Sequence, residues 1–273
     1  MNMYHLYKHC WVFDKAPHLE TELKPEEVKR FFEKGGFMFR NVFDFDIEKP
    51  TEFWFVIKDS FGGMEELMSK NRTFIRKSLK TYDFKIVDKQ CVARYGYPIY
   101  LKALEHYKTK AVAQTQEEFE RWINSCTEEN EFWMIFSKET GDAIGYSINT
   151  LREDCAEYNQ IKVNPEFLGN TYPFYGLFYE MNRHYLEEKK LRYVIDGARS
   201  LTEHSNIQDF LIEKFKFRKA YCEVKIYYKQ PFKAALMLLY PFRRFFRDQR
   251  FVGIFRMEEI RRQFAKQDSV ETA

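Results

Sequence analysis

The sequence predicts an α/β fold: a mixed, mostly antiparallel sheet flanked by helices. Three observations predict it. Helical and strand-like hydrophobic periods alternate along the chain. A hairpin, "EFWMIFSKETGDAIGYSINTL", is followed at once by a third strand, "CAEYNQIKV". After that strand the order is helix, strand, helix, strand, which is how strands are added through helical crossovers. At 273 residues the chain suits one large domain or two fused ones. Hydrophobic residues make up 45%, so it can bury an ordinary core.

The elements follow in order. Within about 1–62, Pro25 opens a short helix carrying Glu26 and Glu27 in its first turn and Val28, Phe31 and Phe32 at helical spacing. Gly35 and Gly36 stop it. "FMFRNVFDF" and "EFWFVIKD" read as strands. Met64, Leu67, Met68, Phe74, Ile75 and Leu79 form one stripe of a helix whose other faces carry Lys70, Arg72, Arg76, Lys77 and Lys80. The strand "DFKIVD" follows, then helices at about Pro98–Tyr107 and Gln116–Ser125. Glu139, Thr140, Gly141 and Asp142 supply the hairpin turn. "NPEFLGNTYP" is a loop, "FYGLFYEMNRHYLEEKK" an aromatic helix and "LRYVIDG" a strand. Beyond Gly197 the chain turns polar through Arg199, Ser200, Thr202, His204, Ser205 and Asn206 before the last helix and strand of this run.

That order, with these residues, resembles the GNAT acyltransferase superfamily over about Tyr82–Tyr228. The matching stretches are "GDAIGYSI", "AEYNQIKVNPEF" and "SNIQDFLIEKFKFRKAY". "SKNRTFIRKSLKTYDFKIV" resembles the basic helix and strand between the two GNAT-like halves of Fem-type peptidyltransferases. The expected division is a short N-terminal α/β segment over 1–81, possessing at most a degenerate GNAT-like half, a GNAT-like domain over 82–230, and a basic, aromatic, helical tail over 231–273.

The resemblance implies an N-acyltransferase with acyl-CoA, such as acetyl-CoA, as co-substrate, a small-molecule amine or amino sugar as acceptor, and no metal. It places the cofactor beside Val163, Gly169, Asn170 and Thr171, where backbone amides and a helix N-terminus hold a pyrophosphate. Thr171 is a candidate cap for that helix, with Pro173 in its first turn. Asn206 matches the residue that meets the pantetheine arm, and as a residue type it serves equally as a helix cap. Glu157 matches the strand position of the family's base; a glutamate there is also compatible with a solvated strand edge. The polar groups Arg199, Ser200 and His204, leaving a strand end, are candidate substrate contacts. The family's leaving-group acid, a tyrosine on the last helix, is replaced by Ile212, and its glycine before Phe217 by Lys216. Tyr221, Tyr227 and Tyr228 are the alternatives for the acid, and Tyr221 is the candidate. These departures leave a non-catalytic, GNAT-like binding module at a membrane surface as another reading. Fem-like relatives take aminoacyl groups from tRNA, and the basic helix fits that donor too.

Net charge is only +3, so bulk charge names no partner. Between Pro231 and Arg262 the tail holds eight Lys/Arg and three Asp/Glu interleaved with Phe, Leu and Tyr. That mixture suits the chain's own core, a second subunit or peripheral contact with an anionic inner membrane surface. The longest apolar run, Ala234–Phe242, is nine residues, too short to span a bilayer. With no signal-peptide pattern and five scattered cysteines, the expected location is cytoplasmic. His5, His9 and Cys10 are near enough in sequence to share a metal, but no second cluster completes a site. No P-loop, dinucleotide fingerprint, nucleophile elbow or H-E-x-x-H motif is present.

Overall fold

The computed structural model describes residues 3–106, 112–200 and 206–271. In chain order its elements are strands β1 (Tyr4–Tyr7) and β2 (Cys10–Phe13), helix α1 (Pro25–Glu33), strands β3 (Met38–Ile47) and β4 (Trp54–Lys58), helix α2 (Ser69–Thr81) and strand β5 (Tyr82–Val87). Helices α3 (Lys89–His106) and α4 (Gln116–Ser125) precede strands β6 (Asn130–Ser137), β7 (Ala143–Arg152) and β8 (Cys155–Val163). Helix α5 (Pro173–Asn182) runs into a π-turn over Arg183–Glu188; strand β9 (Tyr193–Ala198), helix α6 (Ile207–Phe215) and strand β10 (Arg218–Tyr228) follow. The tail is α7 (Gln230–Leu239), a 3-10 turn (Tyr240–Phe245) and α8 (Gln249–Glu271). The fold is thus mixed α/β with mostly antiparallel pairing, as expected.

The described chain forms two compact units. The first holds residues 1–55, 198–205 and 219–273; the second holds 56–197 and 206–218. In the first, β1 and β2 form a hairpin, β2 pairs in parallel with β3, and β3 pairs antiparallel with β10. The β1–β2 turn is made by Lys8 and His9 at φ 45 and 66. His5 therefore lies on a strand opposite Val12, not one helical turn from His9. Tyr4, Trp11, Val28 and Phe39 form one core cluster of this unit. Under them Glu20 accepts hydrogen bonds from Asn41 Nδ2 at 3.0 Å, Tyr4 Oη at 3.1 Å and the Val42 amide at 3.0 Å. Burial still pushes its carboxyl up to about 7.

In the second unit β5, β6, β7 and β8 are successive antiparallel neighbours, and β8 pairs in parallel with β9. One face is covered by α3 and α4, through Val92, Ile99, Phe119 and Ile123 packed on Met134, Tyr146 and Ile148. Each fully buried ring or branched chain contributes about 1.5–3 kcal/mol. α3 starts at Lys89 and carries Pro98 inside it, not at its first turn as the sequence reading has it. An internal proline forfeits an amide donor and crowds the preceding turn. The helix packs closely near this point: a side chain at Gly96 would meet Phe119 Cζ at 3.0 Å and Val92 Cγ1 at 3.1 Å. α2 also starts later than its apolar stripe, because Met68 is extended at the cap position and Met64–Leu67 form a turn.

Candidate active site

β8 and β9 stay together for only three residue pairs: Cys155, Ala156 and Glu157 opposite Tyr193, Val194 and Ile195. From Tyr158 onward β8 keeps only β7 as partner. Beyond Glu157 the two strands are no longer paired with each other. The two helices that follow these strands, α5 and α6, both start beyond the strands' carboxyl ends. That is where α/β folds place ligands.

The face carrying α5 and α6 is apolar. Tyr158 is buried against Phe178, Tyr185 and Phe217, and its hydroxyl donates to Asn182 Oδ1 at 2.8 Å. Phe210 and Phe215 of α6 pack on Phe178 and Tyr175 of α5. α5 also sits tightly on α2 and β5. A Cβ on Gly176 would come within 2.5 Å of Phe84 Cε2 and Ser78 Oγ. Gly176→Ala is therefore expected to destabilise the protein by about 1–3 kcal/mol. A denaturant midpoint unchanged from wild type would contradict that packing.

The loop from Asn164 to Tyr172 is stitched to itself. Asn164 Oδ1 accepts from the Glu166 amide at 3.2 Å, and Lys102 Nζ lies 2.9 Å from Glu166 Oε1. The Lys102 hydrogen bond holds the Glu166 carboxyl below its usual range. Thr171 does not cap α5. Its hydroxyl donates to the Phe167 carbonyl at 2.7 Å and accepts from Tyr82 Oη at 2.7 Å. The cap position belongs to Tyr172, left-handed at φ 54 and stacked on Phe74 at 3.9 Å. Among the described residues no side-chain cap bond closes the start of α5 or α6. Asn206 occupies the α6 cap position, yet its side chain makes no capping bond. A Cβ on Gly169 would meet nothing within 4 Å, so internal packing does not require that glycine.

Two carboxylates stand where the strands part. Glu157, aligned with Ile195, has a side chain 32% exposed, and Arg152 Nε lies 3.2 Å from its Oε2. By strand alternation Asp196 belongs to the opposite face, with Tyr158. Burial pushes the Asp196 carboxyl up to about 7, outweighing a hydrogen bond from Gln208, and the Glu157 charge adds to the rise. Sequence reasoning passed over Asp196 as one residue of a strand. Its one sequence signal is an acid directly before Gly197, which takes φ +84 inside β9 rather than ending the strand as the sequence reading has it.

Glu157, Val163, Gly169, Asn170, Thr171 and Asn206 all belong to the second unit. Tyr221, Arg199 and Ser200 belong to the first. Tyr221 lies on β10 opposite Ile47, edge-on to Trp54 at 6.0 Å. Arg199 is held locally: its guanidinium lies over Trp54 at 4.4 Å and donates to the Glu52 carbonyl at 2.7 Å and Oε2 at 2.8 Å. Ser200 is exposed at the end of this segment. His204, Thr202 and Ser205 lie outside the described residues. Lys216 takes the left-handed position that ends α6, at φ 62, which explains why a glycine is favoured there. Two surface clefts, about 480 Å³ beside Phe43 and Phe264 and about 670 Å³ beside Pro98 and Phe167, are lined by neither Glu157 nor Asp196.

Among solved structures, FemX matches 80% of this chain and 72% of its own with a TM-score of 0.53 at 11% identity. L-PGS from Bacillus licheniformis matches 78% of this chain and 75% of its own with a TM-score of 0.50 at 11% identity. The ribosomal-protein-S18-alanine N-acetyltransferase from Escherichia coli matches a shorter part, 40% of this chain and 62% of its own, at 14% identity and a TM-score of 0.31. No protein-family model and no curated protein matches the chain. At such identities the likeness to FemX and L-PGS is one of fold alone.

Proposed function

We propose that the chain is an acyltransferase that moves an acyl group from acyl-CoA to the amine of a small molecule or amino sugar. The observation that carries this is the parting of β8 from β9 after Glu157, with the N-termini of α5 and α6 beyond the strand ends, where neither Tyr172 nor Asn206 makes a side-chain cap bond. A pantetheine arm is a thin chain of amides, and the end of β8–β9 pairing after Glu157 would let it lie along β8. The backbone of Gly169, Asn170 and Thr171 with the start of α5 would meet the pyrophosphate. The Asn206 side chain, unused as a cap, would meet the arm.

In the reaction the amine nitrogen attacks the thioester carbonyl carbon. The C–N bond forms, the C–S bond breaks, and the sulfur leaves as thiolate. The nitrogen loses a proton, and the thiolate gains one. Glu157 is the base of this reading, because it is the accessible carboxylate at the parting and Arg152 orients it. Asp196 lies half-buried on the other face. Positioning of the two reactants supplies most of the acceleration.

Isothermal titration of acetyl-CoA tests the donor. Micromolar binding, weakened about tenfold in Asn206→Ala by loss of roughly one hydrogen bond's worth of energy, is expected. A second reading, in which the donor is aminoacyl-tRNA, is favoured by the exposed Lys70, Arg76, Lys77 and Lys80 on α2 and by the internal bonding of Thr171. No acetyl-CoA binding, together with tRNA binding that falls steeply with salt, would select it.

A further inference from the structure

We infer that the C-terminal tail is a peripheral docking surface for a bilayer containing anionic lipid. α8 is anchored: Phe255, Met257, Ile260 and Phe264 are buried, and so is Leu236 of α7. The outer side of the same segment is not covered. α7 passes without a break into the 3-10 turn. Leu238, Phe242 and Phe245, spaced four and three residues apart, form one stripe on it. They are 72%, 55% and 82% exposed. Leu239 and, at the start of α8, Phe251 are exposed as well. Large rings this open, one turn apart, are a surface made for contact.

The charge beside the stripe names the partner. Every acid in this part of the tail is already matched to an arginine. Glu258, fully buried, accepts from Arg261 and Arg262 at 2.7 Å each. Glu259 accepts from Arg243 at 2.9 Å, and Asp248 from Arg250 at 2.7 Å. Lys233, Arg244 and Arg247 are exposed and have no ion-pair partner among the described residues. The open face is therefore apolar along its crest and cationic at its flanks. A second copy in a twofold contact would set these cations against their equivalents. An anionic lipid surface instead accepts rings between acyl chains and arginines at the headgroups. Among the described residues no helix is long and apolar enough to cross a membrane, so the contact is interfacial.

Flotation of the full chain with vesicles tests this. Binding is expected to phosphatidylcholine vesicles carrying about 30% phosphatidylserine, and not to phosphatidylcholine alone, with binding weakened by salt. Each flanking cation near such a surface contributes about fivefold in partition. Arg244→Glu with Arg247→Glu should therefore reduce binding at least tenfold, and Phe242→Ser with Phe245→Ser should do the same. All four positions are exposed or nearly so, and thermal unfolding should be unchanged. No vesicle binding overturns the inference. So does binding that survives both double substitutions, or a concentration-dependent dimer that Phe242→Ser with Phe245→Ser dissolves.

Discussion

Glu157→Gln is expected to lower kcat by about 10²–10⁴, the usual contribution of a positioned base, with little change in the affinity for acetyl-CoA. Glutamine keeps the shape and can still meet Arg152. It cannot take a proton from the attacking amine. The structural cost is small, since a partly exposed ion pair is worth about 0–1 kcal/mol and Glu157 is not part of a core cluster. Steady-state kinetics at saturating donor read the effect. Undiminished turnover would remove Glu157 from the chemistry. It would leave Glu157 as a strand-edge acid paired with Arg152.

Asp196→Asn is expected to change how stability depends on pH. The Asp196 carboxyl is raised from 3.8 to about 7 in the folded chain, chiefly by burial. Its ionised form is thus disfavoured in the fold relative to the unfolded chain. Below about pH 4 both states are protonated and there is no penalty. Between about pH 4 and 7 the unfolded chain ionises first, and stability falls. Above that window the penalty is complete, on the order of 4 kcal/mol at about 1.4 kcal/mol for each pH of displacement. The asparagine variant should match wild type near pH 4 and exceed it above pH 7. Denaturant unfolding at several pH values measures this. Parallel pH profiles for the two proteins would contradict it.

Much of the frame was legible because local signals and packing agree. Pro25 with two glutamates marks α1, and Glu139–Asp142 marks the β6–β7 turn. The alternation in "CAEYNQIKV" gives β8 its observed ends, Cys155 and Val163. Other parts were not legible, for reasons particular to them. The β1–β2 hairpin turns on Lys8 and His9, which adopt left-handed backbone without any glycine to announce it. α3 runs through Pro98, against the break a proline usually causes, with Val92, Ile99 and Tyr100 on either side of it buried in the core. Thr171 has the composition of a cap but is taken by Tyr82, a residue 89 positions away. Asp196 becomes distinctive only when burial under the folded chain raises its carboxyl. The position of Glu157 at the last β8–β9 pair likewise depends on where two strands separate, which no local pattern encodes.

The central claim is acyl transfer at the β8–β9 parting. Release of free CoA thiol from acetyl-CoA, measured with and without a panel of polyamines, amino sugars and aminoacyl amides, tests it most directly. The account predicts amine-dependent thiol release above the buffer rate that is lost in Glu157→Gln. Acetyl-CoA that binds but yields no thiol with any amine, or release that is indifferent to Glu157, would contradict it.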